Sequence, residues 1–164
     1  NEMFGPEFDT DRFLEEKRAF SYDQIRKYGV PVKKGLKELL TYLKEKDYCL
    51  CAASNGPYGQ QINRLKKVDM LKYFAHCFVS EKVGADKPGK AFFDGCMKEL
   101  PGVRPEECMM IGDSLTADIT GGRAYGMSTC WYVPSVEKYR EEKSKSGKPA
   151  DHIIHDLLEL KKIL

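Results

Sequence analysis

An α/β fold, in which a parallel sheet is layered between helices, is predicted by three features of this sequence. Segments with helical periodicity alternate with short apolar runs, and the order helix then strand recurs along the chain. The apolar runs lack the in-and-out alternation of a half-exposed antiparallel sheet, so they suit parallel strands joined by right-handed crossovers. The 164 residues are enough for one sizeable core and too few for two independent ones.

The elements follow in order. Residues 11–27 are charged and carry Phe13, Leu14, Phe20 and Ile25 at uneven helical spacing, after Asp9 and Thr10 as caps, which predicts one or two helices closing near Gly29. In residues 33–46, Leu36, Leu39, Leu40 and Leu43 stand at i, i+3, i+4 and i+7, the pattern of an amphipathic helix. Residues 48–54 form an apolar run suited to a strand buried on both faces. A helix over 57–67 with Ile62 and Leu65 inward leads to a strand over 76–79, a loop over 80–87 and a helix over 88–100 opened by Pro88. A strand at 108–111, a helix at 115–125 ending before Gly126, and a strand at 128–133 continue the alternation. Residues 137–148 carry charge without apolar period and predict a solvated loop or ragged helix; a short edge strand at 152–155 and a closing helix at 156–164 finish the chain.

Charge narrows the function. Lysine and arginine number 27 against 25 aspartates and glutamates, a formal net charge of +2. That balance offers no clustered positive excess for a nucleic acid polymer or an anionic membrane surface. No apolar run approaches the roughly 18 to 20 residues of a membrane span, so the expectation is a soluble protein. Six scattered cysteines without a C-x-x-C pair read as buried thiols of a cytoplasmic protein rather than a disulfide framework. His76, His152 and His155 share no metal-ligand spacing and are read as structural or exposed.

In an open parallel sheet, ligands bind beyond the carboxyl ends of the strands. There the sequence places Ser54-Asn55-Gly56, then Lys87 before Pro88, then Gly112-Asp113 with Asp118 five residues on. Each has a plain structural reading. Asn-Gly is a common turn, Lys87 a solvated helix entrance, and Asp113 or Ser114 a helix cap with Asp118 favoured by the dipole. But the residues after Gly56 are helical, which removes the hairpin reading and leaves a strand-to-helix turn able to hold phosphate oxygens. The pair Gly121-Gly122 is read as close packing of helix on sheet, because each glycine in a helix interior costs about 1 kcal/mol.

Taken in order, Ser54, Lys87 and Gly112-Asp113-x-x-x-x-Asp118 resemble motifs two, three and four of the haloacid dehalogenase (HAD) superfamily of aspartyl-phosphate hydrolases. The stretches 53–56, 80–88 and 111–122 are similar to the family in composition and spacing, and with Thr129-Cys130-Trp131 the chain looks most like its bacterial pyrimidine 5′-nucleotidase branch. The resemblance implies a Rossmann-like three-layer core and a phosphomonoesterase acting on a small phosphorylated metabolite. It implies that Ser54 and the Asn55 and Gly56 amides hold phosphoryl oxygens and that Lys87 neutralises the nucleophile and the transferring group. It further implies that Asp113 ligates Mg²⁺, with Asp118 supporting the metal through water or a hydrogen bond. An anionic nucleophile approaches an anionic phosphate only when such groups offset the repulsion.

The family's first motif, Asp-x-Asp-x-Thr after an apolar strand, has no counterpart before Ser54; Phe8-Asp9-Thr10-Asp11 is the nearest string and follows no buried strand. The resemblance therefore implies residues 1–30 as the end of a helical cap, residues 31–164 as a core lacking its first strand, and a longer parent that is the enzyme. The alternatives are a sugar-phosphate or phosphoglycolate phosphatase or phosphomutase, and a non-catalytic module of the same fold. A 2-haloacid dehalogenase fits less well, since that chemistry gives the Gly112-Asp113 pair no metal to hold. A phosphorylation receiver domain is excluded by motif order.

Overall fold

The computed structural model describes residues 29–146 and 149–164; the helices expected over 11–27 and the string Phe8–Asp11 lie outside them. Lys33–Leu164 form one compact unit.

Helix α1 (Leu36–Glu45) buries Leu39, Leu40 and Leu43, three of the four leucines of the predicted stripe. Asp47, at φ 61°, turns the chain, and the Tyr48 N–H returns to the Leu43 carbonyl. Strand β1 (Cys51–Ser54) then pairs in parallel with β2 (His76–Val79), Ala52 opposite Cys77 and Ser54 opposite Val79. Helix α2 (Tyr58–Lys67) crosses between them with Ile62 inward. After β2 the expected loop begins as one helical turn, Ser80–Val83.

Helix α3 (Lys90–Lys98) leads to β3 (Met109–Gly112), which pairs in parallel with β4 (Ser128–Tyr132), itself paired in parallel with β5 (His152–Ile154) at the edge. The predicted helix over 115–125 divides. Leu115–Ile119 is a π-helical turn, because the Ser114 carbonyl accepts from both Asp118 N–H and Ile119 N–H, and α4 (Thr120–Ala124) continues it. The charged segment is helical as α5 (Val136–Ser146). The closing segment is a 3₁₀ helix, Leu157–Lys162, opened by an Asp156/Glu159 capping box.

Helices cover both faces of the sheet. On one face, α1 and the C-terminal 3₁₀ helix bury Leu39, Leu43, Leu157 and Leu160 against Cys130 and Ile154, with Leu50, Met109 and Ile111 packed alongside. On the other, Phe92, Phe93 and Cys96 of α3 pack with Phe78, Cys51, Ala53 and Met110. The double glycine sits where expected: a Cβ at Gly121 would stand 2.8 Å from Phe93, and one at Gly122 2.7 Å from Met110.

Two strand groups thus share the same helical layers without sharing hydrogen bonds. Among the described residues, β1–β2 and β3–β4–β5 are separate sheets, and nothing pairs with the inner edges of β1 and β3. Side-chain burial agrees. Thr129, Cys130 and Trp131 of β4 are fully buried, whereas all four residues of β1 and all four of β3 are half-buried. A cavity of about 250 Å³ lies against β1 and β2, bounded by Ala52, Ser54, Cys77 and Val79 below and α2 above. This corrects the expectation that β1 is buried on both faces. A central parallel strand needs a neighbour on each edge to be closed off, and among the described residues β1 has one.

The thiols give a first test. Burial pushes the Cys130 thiol up to about 12 and Cys96 to about 11; burial, reinforced by the neighbouring Cys49 thiol, raises Cys51 to about 12. In the unfolded chain thiols ionise near 8.5, so above that pH the unfolded chain releases protons that the folded chain retains, and stability falls as pH rises toward 11 to 12. The urea midpoint should therefore be lower at pH 10 than at pH 8. At pH 8 exposed Cys49 should react with a thiol reagent while Cys96 and Cys130 stay protected.

Candidate active site

The strand ends set the geometry. Ser54 is the last residue of β1, Asp113 follows the last residue of β3, and Lys87 approaches from the segment after β2. The Lys87 side chain is nearly sealed from solvent, its ammonium 5.9 Å from the centre of the Phe92 ring. Its ammonium donates to the Ala53 carbonyl at 2.7 Å and to Asp118 Oδ1 at 2.7 Å. Lys87 thereby links the end of β1 to the turn after β3, across the two sheets. The ion pair is buried, with side-chain exposures of 7% and 11%.

Asp118 reaches that position because of the π-helical turn. Its second oxygen, Oδ2, accepts from the Ser114 N–H at 3.1 Å, and the Ser114 hydroxyl in turn caps the Ala117 N–H. The carboxylate lies directly over Gly112, where a Cβ would stand 2.2 Å from Oδ2. The spacing Gly112-Asp113-x-x-x-x-Asp118 thus has a steric reason. Gly112→Ala should push the Asp118 carboxylate off Lys87 and cost about 1 to 3 kcal/mol of stability. A urea midpoint equal to that of the unchanged protein would contradict this placement.

Asp113 is exposed, and its backbone carbonyl accepts the indole N–H of fully buried Trp131 at 3.3 Å, which ties the turn after β3 to β4. The carboxylate oxygens suit a hard cation that keeps several waters, as Mg²⁺ does. Both Asp118 oxygens are engaged within the protein, which fits support of a metal through hydrogen bonds rather than ligation. Among the described residues no group of three or more acidic, histidine or cysteine side chains is placed to hold a metal. Of the two expected carboxylates, Asp113 is the exposed one and Asp118 the one engaged within the protein.

At the turn after β1 the structure shows what the sequence did not. The Gly56 N–H, expected among the phosphate donors, donates to Ser80 Oγ at 2.9 Å, and the Tyr58 N–H opening α2 donates to Glu81 Oε2 at 2.8 Å. The Asn55 carboxamide is turned to the Lys87 backbone, its Oδ1 accepting from N–H and its Nδ2 donating to C=O, both at 2.9 Å. The Ser54 hydroxyl rests on the Asn55 carbonyl at 3.3 Å. Ser80 and Glu81 lie in the stretch 80–88, and no spacing rule links them to residues 24 and 23 positions earlier. Of the three histidines, His76 stacks on Phe78, His155 Nδ1 meets the Val133 carbonyl, and His152 is exposed.

The family model of haloacid dehalogenase-like hydrolases matches residues 6–126. The pyrimidine 5′-nucleotidase PynA of Streptococcus pneumoniae is 42% identical over 100 residues, covering 61% of this chain and 42% of that protein. The glyceraldehyde 3-phosphate phosphatase of Pyrococcus furiosus is 30% identical, covering 79% and 53%. The crystal structure of the HAD-hydrolase YfnB from Bacillus subtilis bound to magnesium is 31% identical with a TM-score of 0.78, covering 96% of this chain and 65% of that one. The chain spans about half the length of the curated relatives it matches. The motif order, the strand-end geometry and a family match over most of its length agree: the chain belongs to the haloacid dehalogenase-like hydrolases.

Proposed function

We propose that this chain is the larger part of a Mg²⁺-dependent phosphomonoesterase core that works through an aspartyl-phosphate, acting in the cytoplasm on a pyrimidine 5′-nucleotide. The observation that carries the reading is the buried Lys87–Asp118 pair at the carboxyl ends of β1 and β3, beside Ser54 and Asp113. A buried ammonium paired with one carboxylate among the described residues is poised to neutralise further negative charge arriving at that edge.

In this reading Ser54 Oγ and the Asn55 N–H hold phosphoryl oxygens, while the Gly56 N–H contributes after leaving Ser80. The nucleophilic aspartate belongs to a strand outside the described residues, seated between β1 and β3, and residues 1–30 are the end of a helical cap. Lys87 offsets the charge of that aspartate and of the phosphoryl group as they approach. Asp118 keeps the ammonium oriented through the reaction. Bound at Asp113, Mg²⁺ would supply charge neutralisation for the phosphoryl oxygens and the nucleophile.

The nucleotide assignment rests on the 42% identity to PynA; the sugar-phosphate alternative rests on relatives such as the glyceraldehyde 3-phosphate phosphatase at 30%. Phosphate release by the full-length protein with Mg²⁺ against both panels tests the reading. Pyrimidine 5′-monophosphates should give the highest kcat/KM. A preference for sugar phosphates would select the alternative, and no Mg²⁺-dependent release from either panel would leave a non-catalytic module.

A further inference from the structure

The phosphate reading assigns the Asn55 backbone and leaves its side chain without a role. That side chain is committed elsewhere: Oδ1 accepts the Lys87 N–H and Nδ2 donates to the Lys87 carbonyl, both at 2.9 Å. A carboxamide that satisfies both the donor and the acceptor of one residue acts as a strand partner would, and no other uncharged side chain but glutamine carries both groups on one carbon. We infer that Asn55 is a positioning residue for Lys87, coupling the phosphate-facing turn after β1 to the lysine that faces the phosphoryl group; this rests on the role given to Lys87 above.

Lysine has a flexible four-carbon stem, and its three-donor head does not fix its own direction. Here the direction is set from both ends. Ala53 O and Asp118 hold the ammonium, and Asn55 holds the backbone from which the stem departs. A further bond, Tyr58 N–H to Glu81 Oε2, keeps the segment after β2 in register with the turn after β1, so that Asn55 meets Lys87 squarely. Ser54, Asn55 and Lys87 then move as one unit, and a shift of Lys87 relative to Ser54 is what the clamp prevents.

The test uses the full-length protein and Asn55→Ala. Two readouts are taken: the rate of reductive methylation at Lys87 against exposed Lys98, resolved by mass spectrometry, and kcat and KM for p-nitrophenyl phosphate. Freed from its clamp, Lys87 should be methylated about fivefold faster or more through local opening, with Lys98 unchanged. Turnover should fall about tenfold to a hundredfold with KM within about threefold, since misplacement of a charged group acts on the transition state. Wild-type methylation of Lys87 in folded Asn55→Ala overturns the inference. So does a raised KM with unchanged kcat, which would mean that Asn55 touches substrate. Faster methylation with unchanged turnover keeps the clamp and removes Lys87 from the chemistry, so it overturns the role of Lys87 and not the positioning. Asn55→Asp retains the acceptor for the Lys87 N–H and loses the donor. Its methylation rate should lie between the other two, which keeps the inference testable if Asn55→Ala does not fold, and a wild-type rate there overturns it.

Discussion

Lys87→Ala should lower the stability of the full-length protein by about 3 to 5 kcal/mol, because it leaves the Asp118 carboxylate buried without its partner. The Ala53 carbonyl loses its donor in the same step. Turnover should fall by about a hundredfold or more, the scale of losing one charge-stabilising group in a water-poor site. The two effects separate in a second variant. Lys87→Met with Asp118→Asn removes both charges and keeps an oxygen for the Ser114 N–H, so it should regain most of the stability and none of the turnover. Chemical denaturation and phosphate release measure both. A single variant as stable as the parent would mean that the pair is not buried in the whole protein. A double variant with restored turnover would remove Lys87 from the reaction.

Asp113→Asn should have the opposite profile. The side chain is exposed and its backbone carbonyl, which receives the Trp131 indole, is unchanged, so stability should stay within about 0.5 kcal/mol. Turnover should fall about a hundredfold or more, since the amide supplies no negative charge to a hard cation. Near-normal Mg²⁺-dependent activity, or activity indifferent to a chelator, would take Asp113 out of the metal site.

Comparison of sequence and structure shows which physical information is local. The leucine stripe of α1, the run His76–Val79 and the approach of Lys87 to Asp118 were legible, because periodicity and strand-end position fix them. The π-helical turn was not. It depends on one carbonyl, that of Ser114, accepting two N–H groups, and helical periodicity does not report that choice. The approach of Asp118 to Gly112 follows from that turn and was equally hidden. The commitment of Asn55, Gly56 and Tyr58 to residues after β2 is tertiary, with no spacing to announce it. The half-burial of β1 has a different source. An apolar run signals what a strand can bury, and whether its neighbour is present is a property of the rest of the chain.

The inner edges of β1 and β3 should receive a strand bearing the nucleophilic aspartate, which a crystal structure of the full-length protein would show. Several unpaired backbone groups along such edges, at about 1 to 3 kcal/mol each once buried, are more than a domain tolerates. The expected result is a parallel strand hydrogen-bonded to both β1 and β3, with an aspartate at its carboxyl end facing Ser54 and Lys87. Finding β1 and β3 hydrogen-bonded directly to each other in the complete protein would contradict it.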